Sequence, residues 1–205
     1  NLSSFYSLKV QAKYANDYMN YIMPPESTLE PMNIHYWQQE VFVSAANLFS
    51  ITDWWSANLA IDMQYNHLDA DGTDMFNVGF VQPRRYTVLS AAATSVRIQR
   101  LKVQGNVLYT FVTDESARNK AVATDKNIFT PTIVASYKPF VKSDLELRAF
   151  YKKIFRMPTF NDLYYVQIGN RLLKPEYTTQ YKLGIVYNKS FDKGIFTNIG
   201  IQADA

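Results

Sequence analysis

The sequence predicts an all-β fold, an antiparallel up-and-down meander of about nine strands that forms part of a large transmembrane β-barrel. Three observations predict it. Polar and apolar residues alternate with the period of two that a strand with two different faces requires. Short and long connections alternate along the chain, and aromatic residues gather where strands meet connections.

The two clearest strands lie in the first third of the chain. Within 7–18, apolar residues from Leu8 to Tyr14 alternate with polar neighbours such as Lys9 and Gln11. The stretch 55–66 is long enough to cross a bilayer as a tilted strand, which takes about 9 to 11 residues. Its apolar face consists of Trp55, Ala57, Leu59, Ile61, Met63 and Tyr65.

The later strands repeat the alternation with shorter apolar sets. They are predicted at 101–111, 145–152, 181–187 and 195–204. In the last, the apolar set of Ile195, Thr197, Ile199, Ile201 and Ala203 lies opposite Asn198, Gln202 and Asp204. Weaker strands fit at 36–46, 85–96 and 129–138, which brings the total to about nine.

The connections fall into two classes that alternate strictly. Short ones are predicted near 47–54, 97–100, 139–144 and 189–194, and long ones near 19–35, 67–84, 113–128 and 155–178. An outer-membrane barrel has short periplasmic turns at one rim and long extracellular loops at the other, so a meander of this kind requires the alternation.

Aromatic residues flank both classes of connection. Tyr18, Tyr21, Tyr36 and Trp37 lie beside a long connection, and Phe49, Trp54 and Trp55 lie beside a short one. They suit the two girdles at the membrane interfaces, where an amphipathic ring places its polar tip among the headgroups. For any single ring, packing in a protein core is an equally good interpretation.

Composition narrows the function classes. The 205 residues are 15% aromatic and 19% charged, contain no Cys and carry a net charge of +3. The basic residues are spread along the chain, which gives little support for nucleic-acid binding. No apolar run reaches about 18 residues, so a helical membrane span is excluded. Because a half-buried soluble sheet shows the same alternation, a soluble all-β ligand-binding module stays an alternative.

No pattern indicates catalysis, a metal site or a cofactor. The only two histidines, His35 and His67, lie in predicted long connections without a partner at metal-ligand spacing. The stretch 69–74 departs from a calcium loop and is interpreted as a solvated turn, and Asp114 is expected in a loop with Glu115. We therefore expect the protein not to be an enzyme.

The most distinctive segment runs from 155 to 180 and is predicted to be a structured long loop. Prolines at 158 and 175 fix the backbone φ angle, and Gly169 and Asn170 supply residues that favour turns. The residues that give the segment its character are Phe155, Arg156, Pro158, Thr159, Phe160, Asp162, Leu163, Tyr164, Gly169, Asn170, Lys174, Pro175 and Glu176.

This segment resembles the TonB-dependent outer-membrane receptor family, in which FR-x-P-(S/T)-F-x-DLY, a G-N turn and L-x-PE precede the next strand. Arg148-Ala149-Phe150 before it and Gln180-Tyr181 after it fit the same family pattern. The resemblance implies a plugged barrel of about 22 strands that imports a scarce nutrient. It also implies residence in the bacterial outer membrane, with lipid, a plug domain, TonB and a small-molecule or glycan ligand as partners.

Against that family pattern, 1–205 is expected to be a partial barrel domain without the plug, the TonB-binding segment or the terminal barrel strand. The remaining strands of the parent protein are then further partners, because both edge strands need cover. The nutrient stays open among siderophore, haem, cobalamin and glycan classes. A passive porin or adhesin without TonB coupling is the alternative within the outer membrane.

Two groups of site residues follow from these interpretations. Polar residues expected to face the lumen and line the plug interface are Glu40, Asp62, Glu146 and Arg148. Residues that could touch a ligand at the outer rim are Arg84, Arg85, Arg156, Asp162, Asn170 and Glu176. The last four are expected first of all to hold the long loop, and the basic pair 84–85 could meet an anionic ligand or lipopolysaccharide.

Overall fold

The computed structural model describes residues 5–24, 31–73, 80–116, 121–141, 144–166, 169–190 and 198–205. They form nine strands and one short helix. The elements are β1 (Tyr6–Met23), β2 (Met32–Thr52), β3 (Trp55–Asp71), β4 (Pro83–Ile98), β5 (Leu101–Ser116), β6 (Lys126–Tyr137), β7 (Asp144–Arg156), α1 (Phe160–Tyr164), β8 (Glu176–Ser190) and β9 (Asn198–Asp204).

The strands form one antiparallel sheet in chain order from β1 to β9, which confirms the predicted meander and its strand count. The strands are longer than predicted, so the connections are shorter. β2 continues through 47–52, and only Asp53 and Trp54 separate it from β3. Strictly alternating short and long connections are confirmed. We call the end of the sheet with the longer connections the long-loop rim and the other the short-turn end.

The register places alternate residues on two faces. We call the face with Val41, Ile61 and Val88 the outer face, and the face with Glu40 and Thr87 the inner face. Middle segments of the outer face are apolar and exposed, as with Leu59 at 51% and Met63 at 52%. The predicted period of two is therefore present in the structure. At β9 it holds for 198–204, whereas Ile195 and Thr197 lie outside the described residues.

Aromatic rings pair across the strands of each hairpin that a longer connection joins. These outer-face pairs are Tyr18 with Trp37, Tyr65 with Tyr86, Tyr109 with Phe129, and Tyr151 with Tyr181. At the short-turn end, Trp54 stacks on Trp55. The expected girdle is wrong in two positions, because Tyr21 and Tyr36 lie on the inner face. Tyr36 is buried there.

A hydrophobic core lies at the long-loop rim, where the chain after β7 folds back onto the inner face. Its buried members are Met32, Ile34, Tyr36, Leu68, Phe80, Val81, Ala123, Phe160, Leu163 and Tyr164. They come from strand ends and from three connections that lie far apart in sequence. The rim therefore has a second layer on the sheet.

Two acidic segments differ from their predicted positions. Asp69 and Asp71 belong to β3, because the strand continues until Gly72, whose φ of 75° ends it; Asp74 lies outside the described residues. Asp114 is a buried residue of β5 and does not lie in a loop. Among the described residues, no helix is long and apolar enough to cross a membrane.

Candidate functional site

The segment after β7 begins with a capped helical turn. Thr159 is the N-cap of α1: its hydroxyl accepts from the Asp162 amide at 3.3 Å, and Asp162 Oδ2 accepts from the Thr159 amide at 2.9 Å. This reciprocal pair is a capping box, which the Thr-x-x-Asp spacing encodes locally. The backbone and hydroxyl hydrogen bonds from Thr159 lower the pKa of Asp162.

The turn docks through its apolar side. Phe160, Leu163 and Tyr164 are buried, and Tyr165 stacks on Tyr36 of β2 with the ring centroids 4.2 Å apart and 6° between the planes. The Tyr36 hydroxyl accepts a hydrogen bond from the Val166 amide at 3.2 Å. The loop therefore reaches across the inner face from β7 to β2. We call 157–175, as far as the structure describes it, the docked loop.

A buried ion pair on the inner face of the sheet holds the docked loop in place. Arg85 of β4 donates from Nε to Asp114 Oδ1 at 2.6 Å and from Nη2 to Oδ2 at 2.8 Å. The side chains of Arg85 and Asp114 are 10% and 0% exposed. A bidentate pair of an arginine and a carboxylate is among the strongest hydrogen-bonded contacts in proteins.

The remaining hydrogen-bonding groups of this pair reach the loop itself. Arg85 Nη1 donates to the Pro158 carbonyl at 2.7 Å, and the guanidinium lies 5.0 Å from the centre of the Phe160 ring. Tyr164 donates its hydroxyl to Asp114 Oδ2 at 2.6 Å and accepts from the Ala123 amide at 3.0 Å. Burial, together with the Asp114 acceptor, raises the pKa of Tyr164, so its proton stays in this bond.

Exposed polar residues connect the two ends of the docked loop on the side that faces away from the buried ion pair. Arg156 lies 3.4 Å from Glu176 and 3.9 Å from Asp162. The Asn170 amide donates to the Asp162 carbonyl at 2.7 Å, and its side-chain oxygen accepts from the Leu172 amide at 2.9 Å. The four residues predicted to hold the long loop are thus brought together, and their described contacts are with each other, with the Thr159 hydroxyl and with the loop backbone.

Gly169 allows the loop to fold back on itself. Its amide donates to the Tyr165 carbonyl at 2.7 Å. A Cβ atom at this position would lie 2.7 Å from the Tyr165 nitrogen and 2.8 Å from the Tyr164 nitrogen. Only a residue without a side chain permits this approach.

Beneath the docked loop lies an inner-face cleft of about 410 Å³. One wall is polar: Glu40 Oε2 accepts from Gln64 at 2.8 Å and from Asn66 at 3.4 Å, and Oε1 accepts from Lys13 at 3.0 Å. The apolar side chains that line the same cleft are Leu89, Leu108, Val112, Met157 and Phe160, and Thr87 and Thr110 line it beside them. Because Lys13 balances Glu40, and Asp114 balances Arg85, the cleft has no net charge from these groups.

The other predicted site residues lie elsewhere. Arg84 is exposed on the outer face, opposite in direction to its neighbour Arg85. Asp62 lies on the inner face like Glu40, and Glu146 there accepts from Arg148 at 2.9 Å. In the described part of the chain no three acidic or histidine side chains converge as metal ligands would.

Sequence reasoning missed Asp114, Tyr164 and Tyr36 as site residues. Asp114 was missed because the predicted strand ends at 111, whereas β5 continues as far as Ser116. Its only local sign is the alternation of Thr110, Val112 and Asp114, which continues the buried face of β5. No local pattern indicates the partners, since the network joins residues 29, 50 and 73 positions apart.

Comparisons with known proteins agree with this architecture. Residues 1–200 match the family described as TonB dependent receptor-like, beta-barrel. A solved structure titled copper transporter OprC is similar with a TM-score of 0.69 and 15% identity, covering 92% of this chain and 34% of that one. No curated protein matches the sequence.

A second similar structure is a double mutant of the Serratia marcescens hemophore receptor HasR in complex with its hemophore HasA and heme. The TM-score is 0.57 at 14% identity, and the match covers 99% of this chain and 40% of that one. The chain therefore spans a little over a third of the length of these structures, and at such identities the likeness concerns the fold.

Proposed function

Because the chain belongs to the TonB-dependent receptor β-barrel family, whose members are outer-membrane proteins, we propose that it forms part of an outer-membrane importer of a scarce nutrient. In this proposal the outer face contacts lipid and the inner face surrounds the import path. The long-loop rim faces the cell exterior, since outer-membrane barrels carry their longer loops there.

The docked loop is the observation that supports import best. It lies on the inner face at the exterior rim, where an incoming ligand has to pass, and a buried ion pair holds it there. A loop fixed in this way narrows the lumen. We propose that the lumen is further filled by a plug domain that contacts Glu40, Asp62, Glu146 and Arg148, and that TonB drives release.

The nutrient belongs to the siderophore, haem, cobalamin or glycan classes, or is a metal ion. The two similar structures are titled for copper transport and for a hemophore receptor with heme, which supports import of scarce nutrients as the general activity. Their low identity does not select between those nutrients for this chain.

Growth assays test the proposal. The gene that contains this chain is deleted, and growth is measured with each nutrient class in turn as the limiting supply, with and without TonB. We expect one class to need both the gene and TonB. Growth that needs the gene but survives loss of TonB would instead indicate a passive barrel.

The exposed ligand-binding candidates are tested in the same assay. We propose that Arg156, Asp162, Asn170 and Glu176 act by holding the loop, since their described contacts are internal to it. We therefore expect Glu176→Ala to leave uptake unchanged. Loss of uptake with a loop that is still docked would assign Glu176 to ligand contact, and Arg84→Ala is scored in the same way for the outer face.

A further inference from the structure

The exposed apolar middle of the outer face, which includes Leu59 and Met63, is here called the apolar band. A patch of aromatic and amide side chains lies on the same face just beyond this band, toward the long-loop rim. The band ends at one cross-strand row, Tyr14, Val41, Tyr65 and Tyr86, which pair in succession. The next row toward the long-loop rim is polar on every strand and consists of Asn16, Gln39, His67 and Arg84. Two further rows follow, Tyr18 with Trp37 and Asp69, then Asn20 with His35 and Asp71.

Three rings in these last rows form one cluster, in which His35 stacks on both neighbours while Tyr18 and Trp37 lie 5.6 Å apart and are tilted by 46° to each other. The His35 ring lies 5.9 Å from Tyr18 and 6.0 Å from Trp37, with 23° between the planes in both cases. Tyr18 Oη and His35 Nδ1 are 2.5 Å apart, in hydrogen-bonding distance. Tyr18 and Trp37 are 57% and 37% exposed. The rings therefore restrain one another while part of each stays exposed to solvent, so binding would remove little side-chain freedom.

The residues around the rings suit hydroxyl groups. Asn16, Asn20 and Gln39 can each donate and accept hydrogen bonds. Asp69 and Asp71 add acceptors, and Asp69 Oδ1 is fixed by the Gln82 side chain at 2.7 Å and the Ala70 amide at 2.9 Å. Asp69 and Asp71 share the rows of the rings, whereas Arg84 lies in the row nearer the apolar band and two strands away from Trp37. A phosphate placed over the rings would therefore meet the two carboxylates first and be repelled by them.

We propose that this patch binds an uncharged sugar unit of an outer-leaflet glycolipid. A sugar ring has an apolar C–H face that stacks on aromatic rings and a rim of hydroxyls that bond amides and carboxylates. The position fits a headgroup, because the patch begins where the apolar band of the outer face ends. The inference rests on the membrane placement in the proposed function.

The test uses the full-length protein that contains this chain, delipidated in detergent and examined by native mass spectrometry. Two probe lipids with identical acyl chains are added, a monoglucosyl diacylglycerol and phosphatidylglycerol. We expect the wild-type protein to retain the glucosyl lipid about tenfold better, the preference that a stacked ring and its hydrogen bonds can supply. Trp37→Ala should remove the preference and Trp37→Phe should keep part of it.

The matched control is Trp54→Ala, which alters the stacked ring pair at the short-turn end and should keep the full preference. Correct folding of each variant is checked by the heat-dependent gel shift of barrels. Equal retention of both lipids by the wild-type protein, or equal loss in Trp37→Ala and Trp54→Ala, overturns the sugar site. Retention of neither lipid likewise overturns the sugar site, whereas absence of the heat-dependent gel shift in the wild-type protein would overturn the barrel placement and with it the proposed function.

Discussion

The middle of the sheet and the long-loop rim use the same strands in opposite ways. In the middle of β2, the outer-face residues Val41 and Val43 are apolar and the inner-face residue Glu40 is polar. Toward the rim, the inner-face residues Ile34 and Tyr36 are buried and apolar, while the outer face carries polar side chains. The apolar residues therefore move from the outer face to the inner face within one strand, which we call the change of phase.

The change of phase indicates a change of surroundings on both sides. Where the outer face is apolar, lipid surrounds it in the proposed placement, and the polar inner face is left to water and to the plug domain of that proposal. Where the outer face is polar, water or headgroups surround it, and the docked loop buries the inner face instead. β3 changes at the same level, from Tyr65 on the outer face to Leu68 on the inner face.

The largest effect is expected from Asp114→Ala, which leaves the Arg85 guanidinium buried without its carboxylate. Removing one partner of a buried pair costs about 3–5 kcal/mol. Hydrogen exchange of 157–166 should then rise strongly while the middle of the sheet stays protected. The control Glu176→Ala removes an exposed pair and should change little.

The double variant Arg85→Met with Asp114→Leu sharpens this test. Two apolar side chains leave neither charge unpaired, so part of the lost protection should return. Equal hydrogen exchange of 157–166 in Asp114→Ala and Glu176→Ala would show that docking of the loop does not depend on the buried ion pair.

Leu163→Ala should come next, because Leu163 is only 1% exposed in the rim core. A cavity left by a buried leucine costs about 2–5 kcal/mol. Leu172→Ala is the control in the same loop, since Leu172 is 87% exposed. Thermal unfolding and exchange of the loop are the measurements. A comparable loss in both variants would contradict burial of the loop.

Gly169→Ala should cost about 1–3 kcal/mol, the range for forcing atoms into an occupied space. The new Cβ would meet the backbone at Tyr164 and Tyr165. Gly105→Ala is the control, because no atom lies within 4 Å of a Cβ placed there. Hydrogen exchange of the docked loop should rise for Gly169→Ala alone. Unchanged hydrogen exchange of the loop in Gly169→Ala would show that the turn does not fold as described.

The smallest effect concerns the capping box. Because the folded state lowers the pKa of Asp162, its contribution is present above the ordinary value of 3.8 and is lost as the pH falls through the lower folded value. Asp162 is 41% exposed, so solvent screening limits the effect to about 0.5 kcal/mol. The exchange difference between wild type and Asp162→Asn should shrink below that pH. A difference that grows in acid would have the wrong sign.

The sequence predicted the features that depend on local pattern. The alternation within 55–66 gave the correct faces of β3, and the connection lengths gave the correct topology. The Thr159-x-x-Asp162 spacing was also readable, although the segment was predicted only as a structured loop. These features need only neighbours along one strand or turn.

The docking of the loop could not be predicted in the same way. Arg85, Asp114 and Tyr164 meet only after β4, β5 and the chain beyond β7 are assembled, and each alone has an ordinary surface interpretation. The change of phase in β2 was a readable sign that was missed, because Tyr36 was grouped with Trp37 as girdle aromatics. Adjacent strand residues point to opposite faces, so the two rings could not share one girdle.

Spin-label accessibility along β2 tests the change of phase most directly. The chain has no cysteine, so single substitutions such as Val41→Cys and His35→Cys are unambiguous within it. In the full-length protein in a bilayer, labels at 41 and 43 should collide with lipid-soluble oxygen, and labels at 33 and 35 with a water-soluble nickel chelate. Labels at 34 and 36 should be shielded from both. Uniform oxygen access from 33 to 43, or nickel access at 41 and 43, would contradict this account.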